Sequence, residues 1–189
     1  MERVSERPAR WSQSTVYPDI WVDPNDDPRN TEGVSSDGEF ATLNEYLMDY
    51  RMTLRMKCEG LDAHQLASRS VPPSTLSLLG LLRHLAEAER DWRNWINVGD
   101  PLPKRYGERG ADFDGVVPEQ SEVVDAYVAL ESEQAATDAA LSEHTDLGER
   151  LGKDGIAVRE LLVHRIEEYA RHCGHADLLR KCIDGRVGQ

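Results

Sequence analysis

Apolar residues in the central part of the chain recur three and four positions apart, which places them on one face of an α-helix. Before the first such run, Ser36 and Glu39 have the spacing of a helix-starting capping box. Gly60 and the proline-containing segment that follows it break the run. The sequence therefore predicts a first helix whose inner face comprises Phe40, Leu43, Leu47, Tyr50, Leu54, Cys58 and Leu61.

Two further helices follow from the same spacing. One is predicted from about Leu76 to Val98, and the other begins near Pro118, since proline is tolerated in a first turn. The segment between them is rich in glycine and proline and about 20 residues long, a length at which loops often contribute to function. The expected core positions are Leu78, Leu81, Leu85, Trp92 and Ile96 in the first, and Val123, Tyr127, Leu130, Gln134, Thr137 and Leu141 in the second.

The last helix is predicted from about Ile156 to Ile183, with Gly185 as its stop signal. No segment shows the alternation that is typical of a half-buried strand. Four long amphipathic helices without a strand predict an all-α fold, a four-helix bundle.

The first part of the chain differs from the rest in composition. Residues 1–35 are rich in proline, aspartate and asparagine, which favour turns, so they are predicted to form an irregular N-terminal arm. The aromatic residues Trp11, Tyr17 and Trp21 are expected to pin this arm to the domain surface, with a dimer contact as the alternative. Residues 36–189 are expected to form the bundle domain.

Charge and cysteine content restrict the function. Basic residues number 22 and acidic residues 35, a net charge of −13 that disfavours nucleic acid and membrane surfaces as partners. No apolar run reaches the roughly 18 residues of a membrane span, and the N-terminus lacks the apolar region of a signal peptide. Three cysteines without a CxxC spacing disfavour a disulfide framework. We expect a cytoplasmic protein.

The last helix contains the segment HRIEEYARHCGHADLLRKC, which holds three of the six histidines. At about 100° per residue, its four polar residues fall within about 80° of one another and beside Leu161 and Leu179, so they are expected to point inward. Cys182 shares this direction and is predicted to lie in the core, whereas Cys173 points about 100° away from His172 and is predicted to be a buried structural thiol. The four polar residues are His164, Glu168, His172 and His175.

A buried glutamate needs a pairing group or a metal ion. His84, on the second long helix, shares the inward face of Leu81 and Leu85. Glu168 and His172, four residues apart, stack on one face of the last helix. These three side chains can converge on one cation. A hydrogen-bonded core histidine and a surface Glu–His pair are the alternatives, and spacing alone leaves them open.

The runs VPPSTLSLLGLLRHLAEAERDW and HRIEEYARHCGHADLLRKCIDG resemble the DinB-like superfamily, in particular its branch with mycothiol-dependent maleylpyruvate isomerases. The resemblance covers roughly residues 40–185. It implies a four-helix bundle of DinB/YfiT type, up-up-down-down and often dimeric, with a divalent metal at one end.

The resemblance also implies the ligands. The superfamily's histidine on the second long helix matches His84, and its two ligands four apart on the last helix match Glu168 and His172. Many relatives carry two histidines there, whereas the mycothiol-dependent isomerases carry Glu and His. His164 and His175 are candidates for holding Glu168 or a substrate, although helix packing explains them equally well. The donor set favours zinc, with nickel, iron and manganese as alternatives.

The sequence and the resemblance together predict a metal-dependent enzyme that activates a small thiol, mycothiol, for S-transfer or isomerisation. A metal-dependent hydrolase and a non-catalytic metal- or thiol-binding module are the alternatives. The expected partners are a small-molecule substrate and a second copy of the chain in a homodimer.

Overall fold

The four helices predicted from the apolar spacing are present in the computed structural model, which describes residues 21–23, 26–30 and 37–188. Trp11, Tyr17 and Ser36 lie outside the described residues. The helices are α1 (Glu39–Cys58), α2 (Ala63–Ala67), α3 (Leu78–Ile96), α4 (Ala111–Asp114), α5 (Gln120–Ser142) and α6 (Val158–Asp184). Two strands of two residues each, β1 (Arg150–Leu151) and β2 (Ile156–Ala157), form an antiparallel pair just before α6.

The long helices pack in two pairs. Helix α1 lies along α6, α3 lies along α5, and α3 also contacts α6. Leucines of α3 belong to the core, and Leu78, Leu81 and Leu85 have no solvent exposure. The predicted all-α four-helix bundle is confirmed, and the short β1–β2 pair is an addition to it.

The helix boundaries differ from the prediction at α1 and α2. Helix α1 begins at Glu39 with Gly38 as its N-cap, so Glu39 is its first residue and not the third, as the predicted capping box requires. A capping box does occur at α2, where Asp62 and Gln65 each accept a hydrogen bond from the other's backbone N–H. The segment predicted as a simple break therefore contains a capped helical turn.

The buried face of α6 is rotated from the predicted one. Its buried residues centre about 120° from His164 on the helical wheel, and they include Val158, Leu162 and Ala176 as well as the long polar side chains of Arg165, Tyr169 and Arg180. Cys182 lies about 120° from that centre and is exposed, so its prediction as a core residue is wrong. Cys173 is buried as predicted.

Trp21 packs on the bundle with only 3% of its surface exposed. The charged groups of Lys57 and Arg186 lie 3.9 and 3.8 Å from its ring centroid, within the range of cation–π interactions. This described part of the N-terminal segment is therefore held by α1 and by the residues that follow α6. No described helix has the length and apolar character that crossing a membrane requires.

Candidate metal centre

His84, Glu168 and His172 come together between α3 and α6. One donor atom from each lies within 4.8 Å of the other two. The His84 and His172 rings meet edge to face with their centroids 4.8 Å apart, and His172 Nε2 lies 3.3 Å from Glu168 Oε2. The helices place them there because α3 contacts α6 and because residues four apart on α6 stack on one face.

The second nitrogen of His84 is held by a residue of α4. His84 Nδ1 lies 2.7 Å from Asp112 Oδ2, and the Phe113 ring stacks on the imidazole with centroids 4.7 Å apart. Burial alone would raise the pKa of the Asp112 carboxyl, but its hydrogen bonds with His84 and with the backbone N–H groups of α4 contribute to lowering that pKa below its usual value. Asp112 is therefore ionised at neutral pH, and Nε2 is the His84 nitrogen available to a cation.

His172 is the most buried of the three, and its Nδ1 lies 3.2 Å from His175 Nδ1. Burial, together with the neighbouring His84, His175 and Arg171, lowers the pKa of His172 to about 3. The ring is therefore neutral at physiological pH, and one of its two nitrogens carries a lone pair. A neutral imidazole is the form that binds metal.

Glu168 divides its two oxygens between two neighbours. Oε1 accepts a hydrogen bond from Arg171 Nη1 at 3.0 Å, and Oε2 faces His172. The side chain is 17% exposed, so it stands at the edge of the buried face of α6. This arrangement leaves one carboxylate oxygen directed at the histidine pair.

The two further histidines predicted near the site have different surroundings. His175 contacts His172, as described above. His164 instead lies against the rings of Trp95 and Trp92, at centroid distances of 5.2 and 6.0 Å, and its Nδ1 is 3.7 Å from Glu167 Oε2. The structure thus places His175, and not His164, in contact with a member of the triad.

A pocket of about 380 Å³ opens beside His84. One wall is α3 and the other is the long segment between α3 and α5, which was predicted as a functional loop. The lining residues include Glu87, Ala88, Asp91, Lys104, Tyr106, Arg109 and Asp112.

Side chains of α3 fasten this segment along the helix. They lie on the turns that follow His84 and bind successive parts of the chain between Leu102 and Tyr106. The pairs are Glu87 with the N–H groups of Arg105 and Tyr106, Arg90 with the Pro103 carbonyl, Asp91 with Lys104, and Asn94 with the Leu102 N–H. The pocket wall is therefore built by directed hydrogen bonds and ion pairs.

Comparison with known proteins identifies the family. The sequence profile of the mycothiol-S-transferase family matches residues 42–185, a range that includes His84, Glu168 and His172. The chain belongs to the mycothiol-S-transferase family. This match confirms the predicted resemblance to the DinB-like superfamily.

A solved structure supports the fold of this family member. The crystal structure of a conserved protein from Enterococcus faecalis is similar with a TM-score of 0.53 and 17% sequence identity, over 76% of this chain and 95% of that chain. At this level of identity the likeness shows the fold alone. None of the curated proteins matches the sequence.

The donor atoms of this mycothiol-S-transferase family member fit a divalent cation. Two imidazole nitrogens and one carboxylate form the protein ligand set of many catalytic zinc sites and of non-haem iron sites. Donors bound to one zinc ion at about 2.0–2.1 Å in tetrahedral geometry lie about 3.4 Å apart, so the observed spread of up to 4.8 Å must close by up to about 1.4 Å when the ion binds. The second nitrogen of each histidine already has a partner.

Sequence reasoning missed Asp112 and Glu87. Asp112 lies in a segment rich in glycine and proline, where no helical period relates a residue to the core. Glu87 is only 7% exposed, yet a glutamate within an amphipathic helix is ordinarily a solvated residue. For Asp112, the sequence offers one weak signal of a functional role, namely a carboxylate followed by an aromatic residue in a long loop.

Proposed function

We propose that this member of the mycothiol-S-transferase family binds one divalent cation through His84, Glu168 and His172 and transfers a small thiol, mycothiol, to an electrophilic substrate. The observation that carries the proposal is the convergence of the three donors within 4.8 Å, one of which, His84, also lines a pocket. The choice of mycothiol as the thiol rests on family membership.

In the proposed reaction the thiol loses its proton, its sulfur forms a bond to an electrophilic carbon, and the leaving group departs with its bonding electrons. A bound divalent cation supplies Lewis acidity that favours the thiolate form of a thiol near neutral pH. The role of the protein is to present its donors in the correct state. His172 is neutral because it is buried, and Arg171 orients Glu168 by binding its other oxygen.

The pocket beside His84 suits a small polar ligand. Its volume of about 380 Å³ falls within the range of small-molecule sites, about 300–1,000 Å³. Charged groups of both signs stand in its lining, including Asp91, Lys104 and Arg109. These groups can donate to and accept from the hydroxyl groups of a sugar-containing thiol such as mycothiol.

The donor set favours zinc, and nickel, iron or manganese would suit the same three ligands. We expect elemental analysis of protein purified without a His tag to find about one such ion per chain. His84→Ala should lose the ion, whereas His64→Ala, which removes an exposed histidine, should retain it. Absence of metal after growth and dialysis in each of the four metals would contradict the proposal. The predicted homodimer is a separate proposal that sedimentation of the same samples would test.

The thiol is tested by titrating mycothiol into metal-loaded protein, followed by turnover with a panel of electrophiles. We expect binding below millimolar concentration, and turnover that disappears in the His84→Ala variant. No binding of mycothiol at millimolar concentration would contradict the transferase function. Hydrolysis of ester or amide substrates without any thiol would favour the hydrolase, and binding without turnover would favour the binding module.

A further inference from the structure

We propose that Asp112 is a positioning residue for His84, which fixes the His84 proton on Nδ1 and directs Nε2 toward the cation. The inference rests on the proposed metal site and deepens it. It assigns a role to α4, a short helix that sequence reasoning treated as part of a loop.

The contact itself is short and sheltered. Asp112 Oδ2 lies 2.7 Å from His84 Nδ1, and the Asp112 side chain is 13% exposed. An ionised carboxylate can only accept a hydrogen bond, so Nδ1 is the donor and carries the proton. The tautomer of a metal-binding histidine is set in this way by the partner of its other nitrogen.

The position of the Asp112 carboxylate is fixed, because Arg83 of α3, the residue before His84, holds α4 by hydrogen bonds. Arg83 donates hydrogen bonds to the Ala111 carbonyl at 3.0 Å and to the Gly115 carbonyl at 2.8 Å, one at each end of the short helix. Between these ends, the Phe113 ring stacks on His84. Main-chain and side-chain contacts together fix where Asp112 stands.

A glycine on α3 allows this close approach. A Cβ atom at Gly80 would lie 3.1 Å from Cδ1 of Phe113, which is tighter than ordinary van der Waals contact. Gly80 lies one helical turn before His84, on the side of α3 that α4 covers. The absence of a side chain at this position therefore lets α4 pack directly against the helix that carries His84.

Asp112 is placed to hold His84 and not to coordinate the ion. Its oxygen lies at Nδ1, whereas a cation shared with Glu168 and His172 would be bound at the other ring nitrogen. Among the described residues, the group whose donor atoms converge is His84, Glu168 and His172. A carboxylate, a histidine and a metal in line form a recurrent arrangement whose outer member affects affinity about 10- to 100-fold.

The first test measures affinity for Zn²⁺ by competition with a chelating indicator. We expect Asp112→Ala to weaken binding about 10- to 100-fold, and Asp112→Asn to weaken it less, because an amide oxygen can still accept from Nδ1. Asp114→Ala is the matched control, since it removes a carboxylate of the same helix that is 70% exposed and pairs with Arg69. The affinity of the Asp114→Ala variant for Zn²⁺ should stay within about twofold of the wild-type value.

The second test needs no metal and separates positioning from simple structural support. Long-range ¹H–¹⁵N NMR of the metal-free protein should show the proton of His84 on Nδ1 in the wild type, and a shift toward the Nε2 tautomer in Asp112→Ala. Melting temperatures establish that each variant is folded. A folded Asp112→Ala variant with unchanged affinity and unchanged tautomer would overturn the inference.

The two tests fail in distinguishable ways. If wild-type protein binds no Zn²⁺, the proposed function fails, and the NMR measurement alone still decides whether Asp112 sets the His84 tautomer. If wild type and Asp112→Ala bind Zn²⁺ equally and show the same His84 tautomer, the metal site stands and the role of Asp112 is overturned.

Discussion

Glu89 and Arg165 form an ion pair in the core, with Arg165 Nη2 at 3.0 Å from Glu89 Oε2 and side chains that are 0% and 1% exposed. The pair joins α3 to α6, the two helices that carry the candidate ligands. Arg51 of α1 and the Tyr169 hydroxyl also donate to the Glu89 carboxylate, at 2.7 and 2.9 Å. One carboxylate thus ties three helices together beside the site.

Removing this carboxylate should be strongly destabilising, because the buried Arg51 and Arg165 would then share one carboxylate, that of Asp138, which is 44% exposed. We expect Glu89→Gln to lower the free energy of unfolding by about 3–5 kcal/mol, measured by urea denaturation. The control is Glu131→Gln, whose ion pair with Arg55 is more than half exposed on both sides. That change should cost at most about 1 kcal/mol. Similar losses for the two variants would contradict the importance of the buried group.

The low pKa of His172 predicts a pH dependence of stability in the metal-free protein. Above the unfolded value of about 6.5 the ring is neutral in both states, so its contribution is constant. As pH falls from about 6.5 toward 3, the unfolded chain takes up a proton that the folded chain excludes, and stability is lost. Between pH 6.5 and 5.5 this amounts to about 1 kcal/mol.

The measurement is urea denaturation at pH 7.5, 6.5 and 5.5 with a chelator present. We expect His172→Gln to lose about 1 kcal/mol less than the wild type between pH 6.5 and 5.5. His64→Gln, at an exposed position, should keep the wild-type slope. Identical slopes for His172→Gln and the wild type would show that burial does not hold His172 neutral.

Two glycines of the β1–β2 turn permit a matched comparison. Gly152 and Gly155 have φ values of 62° and 63°, which disfavour a side chain by about 1–2 kcal/mol. A Cβ atom at Gly152 would also lie 2.0 Å from the backbone oxygen of Trp95, whereas nothing stands within 4 Å of one at Gly155. Of the two glycines, Gly152 is therefore the one that packs against the last residues of α3.

We expect Gly155→Ala to cost about 1–2 kcal/mol of unfolding free energy from backbone strain. Gly152→Ala should cost clearly more, because the Trp95 carbonyl must also move. Thermal and urea denaturation of the two variants measures the difference. Equal destabilisation would mean that the turn does not pack closely on α3.

The three cysteines should differ sharply in reactivity. Cys182 is exposed, whereas Cys58 and Cys173 are buried and burial raises the pKa of each thiol to about 12. The thiolate is the reactive form, so a disulfide reagent should modify one thiol per folded chain rapidly at pH 8. The other two should react only after denaturation. Cys182→Ser should abolish the fast phase, and a fast phase that persists would place a second thiol at the surface.

The sequence predicted the fold through the spacing of its apolar residues. This worked best for α3, whose inner residues Leu78, Leu81 and Leu85 are fully buried, because a helix that packs against several others has apolar residues at its inward positions. It worked less well for α6. There Arg165, Tyr169 and Arg180 are buried through ion pairs, hydrogen bonds and cation–π contacts, and hydrophobicity does not mark such residues.

The sequence by itself determined which three residues are candidates for one cation. The period of the α-helix places Glu168 and His172 on one face of α6 and places His84 beside the leucines of α3. Both statements follow from the sequence without knowing how the helices pack. Only the tertiary structure decided that these faces meet, that His175 and not His164 stands next to His172, and that Asp112 holds His84. The physical reason is that a helical period relates residues within one helix, whereas contacts between helices, and those made by an aperiodic segment, depend on how the whole chain packs.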